Sequence, residues 1–144
     1  MKILLDTSVL VAAMVEAHPA HELALPWLQR IKAGTDVGFV AAHSIVELYA
    51  VLSVLPVQPR ISPAIANKLI HQDVLDICEI VTLSVQDYNR VIKHLSESNI
   101  VGGVTYDAVI LYTAFKVEID RIVTLNKKDF VRIYPGIAEK IILP

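Results

Sequence analysis

Hydrophobic residues fall into short unbroken runs, separated by longer segments whose apolar positions have helical spacing. The runs do not alternate between apolar and polar residues, which is typical of strands buried on both faces of a parallel sheet. They predict strands at Ile3–Leu5, Val37–Ala42, Ile80–Leu83 and Ile122–Leu125, with Ile141–Leu143 as a fifth candidate.

The segments between these runs predict helices. His21–Lys32 and Thr105–Val117 each carry an apolar stripe at helical spacing, and Ser62 and Ser84 are residue types that cap helix starts. Strands that alternate with helices favour an α/β fold. We therefore predict one domain over residues 1–144, a three-layer α/β/α sandwich with a mainly parallel central sheet.

Composition supports a buried core and limits the partners. The 144 residues match the usual length of about one domain, and 54% of them are hydrophobic. The net charge of −2 argues against a general basic surface that wraps nucleic acid. A local basic patch stays open, and the candidates to guide a nucleic-acid backbone are Lys93, Lys116, Lys127, Lys128 and Arg132.

The chain carries no pattern that we interpret as a membrane or secretion signal. Asp6 interrupts the apolar start, in the middle of the stretch that should be uncharged in a secretion signal. No run approaches the roughly 20 apolar residues of a membrane span. The single cysteine, Cys78, excludes a disulfide framework within the chain and fits a reducing compartment. We expect a soluble, cytoplasmic protein that binds no membrane.

Acidic residues recur near the carboxyl ends of the predicted strands, where open α/β sheets bind their ligands. Asp6 ends the first strand, and Glu47 lies one turn into the helix after the second. Asp107 lies near the start of a later helix, and Asn126 and Asp129 follow the fourth strand. The predicted topology gathers these residues at one edge of the sheet.

Converging carboxylates repel one another unless a cation lies between them. Oxygen ligands without clustered cysteine or paired histidine favour Mg²⁺ or Mn²⁺ over zinc. Such an ion activates water and offsets the charge that grows on a phosphate during hydrolysis. The pattern therefore predicts divalent-metal-dependent hydrolysis of phosphodiester bonds.

Each of these acids also has a purely structural interpretation. Ser44 and Glu47 match a capping box, Asp107 favours a helix dipole, and Asp6 is placed to cap a helix that follows it. Asp129 could belong to a solvated turn. These alternatives stay open at the level of the sequence.

Other polar residues carry less information. Glu118 and Asp120 precede a strand and are expected at the opposite edge of the sheet. The histidines are interpreted as helix-flanking, surface or core residues: His18, His21, His43, His71 and His94. No platform for stacking nucleobases is evident among the nine aromatic residues.

Four segments resemble the PIN-domain family, and more narrowly its VapC-type toxin ribonucleases. They are Leu4–Ser8, Ser44–Leu48, Tyr106–Ala108 and Val123–Phe130, in that order. No single segment is specific, but the order of all four in a chain of this length is. The resemblance covers essentially the whole chain.

The resemblance implies a PIN-like sandwich with an acidic Mg²⁺ or Mn²⁺ site that cleaves single-stranded or structured RNA. By position, Asp6 and Asp107 would be the principal metal ligands, and Glu47 would bind the metal directly or through water. Thr124 would help to order the site. The family's fourth acid is replaced here by Asn126.

Two further features follow from the resemblance. Asp129 is a candidate to share the role of the missing fourth acid, which leaves a second metal ion open. The family often forms homodimers, and in its toxin branch a cognate antitoxin blocks the site. The hypothesis is thus a metal-dependent endoribonuclease, the toxin of a VapBC-type toxin–antitoxin pair, although a housekeeping nuclease would have the same site.

Two other functions compete with this hypothesis. A non-catalytic interaction module that kept the fold is favoured by the lost fourth acid. A haloacid-dehalogenase-like phosphatase also begins with a strand ending in Asp, but it needs a second Asp where this chain has Ser8. Nothing in the sequence indicates which RNA is cut or where.

Overall fold

A five-stranded, all-parallel sheet forms the centre of the fold. The structure is a computed structural model that describes residues 1–144. The strands are β1 (Lys2–Leu5), β2 (Val37–Ala41), β3 (Glu79–Val81), β4 (Arg121–Val123) and β5 (Ile141–Ile142). Their spatial order is β3-β2-β1-β4-β5, and every neighbouring pair is parallel. The predicted parallel sheet is confirmed.

Helices cover both faces of this sheet. They are α1 (Thr7–Met14), α2 (His21–Lys32), α3 (Ala42–Leu52), α4 (Pro63–Ile70), α5 (Val85–Glu97), α6 (Val104–Lys116) and α7 (Lys127–Ile133). A π-helical turn at His71–Leu75 and a 3₁₀ segment at Pro135–Lys140 complete the secondary structure. No helix is long and apolar enough to cross a membrane.

Two hydrophobic cores lie on opposite sides of the sheet. Residues of α1 to α4 build one core, and residues of α5 to α7 build the other. Along β1, Ile3 and Leu5 pack into the first core while Leu4 packs into the second. Both faces of β1 are therefore buried, which explains its unbroken apolar run and confirms the three-layer α/β/α sandwich.

The two predicted helix caps form as expected. The Ser62 hydroxyl accepts the Ile65 N–H at 3.2 Å, at the start of α4. The Ser84 hydroxyl accepts the Asp87 N–H at 3.2 Å, and the Asp87 carboxylate accepts the Ser84 N–H at 2.8 Å. This reciprocal pair is a capping box, and it fixes the start of α5.

Lys116 has a structural role rather than the predicted role of guiding RNA. Its ammonium group donates to the Asp87 carboxylate at 2.7 Å and to the Thr82 carbonyl at 3.1 Å. The Lys116 bond is the main reason why the pKa of Asp87 falls to about 2. The pair joins the end of α6 to the start of α5, so we correct that expectation.

Several predicted boundaries were wrong by one or two residues. β4 ends at Val123 rather than Leu125, because the N–H groups of Leu125 and Asn126 donate to side-chain hydroxyls rather than to a neighbouring strand. β3 is Glu79–Val81 rather than Ile80–Leu83, and Ala42 begins α3 rather than ending β2. The short helix α7 was not predicted.

Gly38 provides a test of the packing between the sheet and α2. A Cβ atom at Gly38 would lie 2.7 and 2.9 Å from two side-chain carbons of Ile31 and 3.1 Å from the Cys78 sulfur. Gly38→Ala should therefore lower the free energy of unfolding by about 1–3 kcal/mol, measured by urea denaturation. A Cβ at Gly136 would meet nothing within 4 Å, so Gly136→Ala is the control. Equal stability of the two variants would contradict this account of the packing.

Candidate active site

The carboxyl ends of β1 and β4 meet around Asp6. From β1 the chain passes outward through β2 and β3, then crosses to β4 on the other side of β1. Such a reversal of strand order opens a crevice in which α/β proteins bind ligands. Asp6 lies in this crevice directly after β1, and only 2% of its surface is exposed. Its N–H donates to the Val123 carbonyl at 3.0 Å, which fixes its backbone against β4.

Two hydroxyl groups hold the Asp6 carboxylate. Ser8 Oγ donates to Asp6 Oδ2 at 2.6 Å, and Thr124 Oγ1 donates to the same oxygen at 2.8 Å. The hydroxyls are themselves fixed, because Ser8 Oγ accepts the Leu125 N–H and Thr124 Oγ1 accepts the Asn126 N–H. Asp6 occupies the cap position of α1, but its side chain makes no capping bond. The helix-cap interpretation of its carboxylate is wrong.

Asp6 is a buried carboxylate without a protein cation. The other three buried aspartates, Asp36, Asp73 and Asp87, each form an ion pair with an amino or guanidinium group. Asp6 has no cationic partner, and burial raises its pKa above the ordinary value, with the charge of Glu47 acting in the same direction. The site is therefore electrostatically incomplete and suited to receive a cation.

The structure brings four of the sequence-predicted residues around one cavity. Asp6, Glu47, Asp107 and Asn126 line a cavity of about 240 Å³. Asp129 is not among the lining residues; its side chain is 47% exposed and lies 3.7 Å from the Arg132 guanidinium. The predicted cluster thus forms without Asp129 in its wall.

The charges of the other three predicted acids, Asp6, Glu47 and Asp129, all act on Asp107. It lies in the first turn of α6, and burial, followed by the charges of Asp6, Glu47 and Asp129, raises its pKa to about 7. The effect of Asp129 shows that this residue, although outside the cavity wall, is close enough to add negative potential. A helix-dipole role for Asp107 does not account for this mutual repulsion.

Glu47 is directed toward the site rather than toward a helix start. The capping-box interpretation is wrong, because α3 begins at Ala42 and the buried Ser44 hydroxyl instead accepts a bond from Thr7 Oγ1 at 3.0 Å. One carboxylate oxygen of Glu47 lies 3.1 Å from His43 Nε2. Glu47 therefore lines the cavity instead of capping the helix, and its contact with His43 orients its carboxylate.

The oxygen donors fit Mg²⁺ or Mn²⁺ better than a softer metal. Carboxylate and amide oxygens line the cavity without cysteine. No three His, Cys, Asp or Glu side chains form a group that could hold an ion on their own. Mg²⁺ does not require such a cage, because it keeps several waters and binds one or two carboxylates together with substrate phosphates. Asp6 and Asp107 meet that requirement.

Sequence reasoning missed four residues at this site. Ser8 holds Asp6, His18 lines the cavity, and His43 contacts Glu47 and stacks on Tyr106 with ring centres 5.2 Å apart. The stacked pair lies beside Glu47 and is not part of the cavity wall. A hydroxyl two residues after the strand-end aspartate was the available signal for Ser8; the others depend on tertiary contacts.

The remaining charged candidates lie elsewhere. Asp120 accepts the Lys2 N–H at 2.8 Å, at the amino end of β1 and hence at the opposite edge of the sheet, as expected. Lys93 lies 3.9 Å from Glu97 on the surface of α5. Lys127 and Lys128 line a different, shallow surface cavity. These lysines do not line the carboxylate cavity.

Comparisons with known proteins agree with this geometry. The family model of the PIN domain matches residues 3–134. Ribonuclease VapC40 of Mycobacterium tuberculosis is 38% identical to this chain over 111 residues, which cover 76% of this chain and 75% of that protein.

Two solved structures share the fold at low sequence identity. VapBC2 from Rickettsia felis, bound to a DNA fragment from its promoter, is similar with a TM-score of 0.65 and 20% identity, covering 100% of this chain and 98% of that chain. VapC20 of M. tuberculosis, a toxin that cleaves the sarcin-ricin loop, has a TM-score of 0.65 and 15% identity, covering 83% of this chain and 86% of that chain. At these identities the likeness concerns the fold.

The raised pKa of Asp107 gives a test of the repulsion. The pKa of Asp107 is about 7 in the folded state, against an ordinary value of 3.8. At a pH between these two values, the folded state keeps a proton that the unfolded state has lost. Asp107 therefore costs stability progressively as the pH rises from about 4 to 7. A full shift of this size is worth about 4 kcal/mol, but Asp107 is half-buried and screening by solvent reduces this to about 1–2 kcal/mol.

Asp107→Asn removes this cost. In EDTA at pH 8 we expect the variant to exceed the unsubstituted protein in free energy of unfolding by about 1–2 kcal/mol, with near-equal stability at pH 4. Urea denaturation at the two pH values provides the measurement. A variant that is less stable at pH 8 than the unsubstituted protein would show that the carboxylates do not repel.

Proposed function

This chain belongs to the PIN domain family and to its VapC-type toxin ribonucleases, and from that premise we propose that it is a Mg²⁺- or Mn²⁺-dependent endoribonuclease. Its substrate is an RNA phosphodiester bond. The observation that carries the proposal is the buried Asp6 carboxylate, which has hydroxyl partners but no protein cation. A divalent ion supplies the missing positive charge.

Asp6 and Asp107 would hold the ion, with Glu47 binding it directly or through water. When bound, the ion would lower the pKa of water and offset negative charge on the phosphate. Ser8 and Thr124 both donate to Oδ2 of Asp6, so neither hydroxyl occupies Oδ1. The two hydroxyls therefore fix the rotation of the carboxylate and leave one oxygen for the ligand.

Asn126 supports the site differently from a fourth acid. Its side chain lines the cavity at the start of α7 and makes no capping bond with that helix. An amide offers an oxygen acceptor and an N–H donor without adding negative charge. Asn126 would therefore contact a water or the RNA strand, while Asp129 contributes long-range negative potential from outside the cavity wall.

The partners follow from the relatives. VapC40 and VapC27 of M. tuberculosis are both named ribonucleases, and VapBC2 is a toxin–antitoxin complex on DNA. We propose by analogy that a cognate antitoxin binds this chain and that the chain forms a homodimer. A short open reading frame for a DNA-binding antitoxin next to the gene would support the toxin role over a housekeeping one.

A second candidate is an interaction module that has kept the fold but lost catalysis. Asn126 in place of the fourth acid and the lack of a complete three-ligand metal group favour it. The two candidates differ in one measurable respect, because only the enzyme cleaves RNA in a way that depends on a divalent ion and on Asp6.

Asp6→Asn should lower RNA cleavage at least about 100-fold while leaving the fold intact. Asparagine has the same shape and can still accept the Ser8 and Thr124 hydroxyls, but it lacks the charge that holds the ion. Cleavage of total RNA with Mn²⁺ is followed on gels, and circular dichroism reports the fold. Excess EDTA should abolish cleavage by the unsubstituted protein.

Asp76→Asn is the matched control, because Asp76 is exposed and lies outside the cavity. It should cleave at the unsubstituted rate. Full activity of Asp6→Asn, or of the unsubstituted protein in EDTA, would exclude the metal-dependent mechanism. A folded protein that neither binds Mn²⁺ nor cleaves RNA would favour the interaction module.

Ser8→Ala should lower cleavage about 10- to 100-fold, the usual cost of losing a group that orients a metal ligand. The substitution removes the 2.6 Å bond to Asp6 and the acceptor of the Leu125 N–H, but leaves Thr124 in place. Titration of Mn²⁺ against activity should show weaker apparent binding of the ion. Ser98→Ala, at an exposed helix end, is the control. An unchanged Mn²⁺ titration would argue against this role for Ser8.

A further inference from the structure

One basic side chain lines the carboxylate cavity, and the mechanism above does not use it. His18 lies between α1 and α2, is partly buried, and shares the cavity wall with Asp6, Glu47 and Asp107. No lysine or arginine lines this cavity. His18 is therefore the only basic side chain in the cavity wall that an entering RNA phosphate could contact.

The hydrogen bonds around His18 determine which ring nitrogen can act as a donor. The Ala20 N–H donates to His18 Nδ1 at 3.0 Å, so the lone pair of Nδ1 is occupied and the proton of the neutral ring is on Nε2. Nε2 makes no hydrogen bond within the protein, and it is not an unpartnered buried atom. The ring therefore presents a free N–H group that is accessible to a ligand.

Free donors are scarce in this cavity. The Ser8 and Thr124 hydroxyls donate to Asp6, and the Thr7 hydroxyl donates to Ser44. The carboxylates only accept when they are ionised, and phosphate oxygens also only accept. Besides the Asn126 amide, His18 Nε2 is the lining side-chain group with a proton to donate to a phosphate.

We propose that His18 is a substrate-positioning residue whose Nε2–H donates to a phosphate oxygen of the RNA strand in the cavity. The inference rests on the proposed function, because it requires RNA at the carboxylate site. The Ala20 bond holds the ring in one orientation, so the donor is positioned before the strand binds. A bond to a charged oxygen is strong enough to affect RNA affinity measurably.

Two amide substitutions separate this role from a purely structural one. In His18→Asn, the side-chain oxygen can take the place of Nδ1 and accept the Ala20 N–H, but the donor at the Nε2 position is lost. In His18→Gln, the amide nitrogen can reach the Nε2 position, but the Nδ1 acceptor is lost. If His18 acts as a donor, His18→Asn should bind RNA more weakly and His18→Gln should not. If His18 only holds the loop through the Ala20 N–H, His18→Gln should be the weaker binder.

The readouts are KM and kcat for cleavage of a labelled single-stranded oligoribonucleotide taken from a site cut in total RNA. We expect His18→Asn to raise KM about 10- to 100-fold with a smaller change in kcat, and His18→Gln to stay within about threefold of the unsubstituted protein. In an Asp6→Asn background, in which cleavage is slow enough for binding to be measured, Kd for the same RNA should follow the same order. His71→Asn, at an exposed position on the π-helical turn, is the control.

The outcomes are distinguishable. Unchanged KM in both variants, or impairment of His18→Gln alone, would overturn the positioning role and leave the proposed function standing. If His18→Asn does not fold by circular dichroism, His18→Gln decides: retained KM supports the donor, and a raised KM with an intact fold overturns it. Absence of RNA cleavage by the unsubstituted protein overturns the proposed function and this inference together.

Discussion

The negative charge of Asp6 constrains the rest of the site. A carboxylate at the end of a central strand, with 2% of its surface exposed, must be neutralised, hydrogen-bonded or paired. Elsewhere the protein pairs its buried aspartates with its own cations, as Lys116 does for Asp87. At Asp6 it supplies no cation, and the hydroxyls of Ser8 and Thr124 orient the charge without cancelling it. The charge therefore remains available to a ligand.

The sheet topology explains why this charge does not stand alone. β1 is the middle strand and β4 is its neighbour, so the turn after β4 carries Thr124 and Asn126 to Asp6 across a gap of more than one hundred residues. The helices after β2 and before β4 bring Glu47 and Asp107 to the same cavity. Because the strands are parallel, all of their carboxyl ends meet at one edge of the sheet. The pKa of Asp107 is raised by its burial and by repulsion from these acids, and both effects arise because the fold gathers the residues at one edge of the sheet.

Much of this arrangement could be predicted from the sequence. The predictions that were wrong or missing share one cause. Unbroken apolar runs indicated buried parallel strands, and strand-end acids indicated the site, because both signals are local. Lys116 was misjudged because its partner Asp87 lies 29 residues away, and sequence spacing does not show that α5 and α6 pack together. His18 and His43 were missed for the same reason. Their roles depend on which loop or helix borders the cavity, and a one-dimensional pattern does not contain that information.

The internal ion pairs also affect how the net charge of the chain bears on RNA binding. Several cations are paired internally, among them Lys32 with Asp73 and Lys116 with Asp87. Each pair takes up one positive and one negative charge, so the net charge of −2 is unchanged while fewer cations are available to attract RNA. Burial in the cavity, followed by the repulsion of the acids already there, brings the pKa of Asp107 to about 7. A fourth carboxylate at Asn126 would increase that repulsion and oppose an incoming phosphate. An amide there keeps an oxygen at the rim and adds a donor, so a site with no lysine or arginine in its wall can still accommodate an anionic strand.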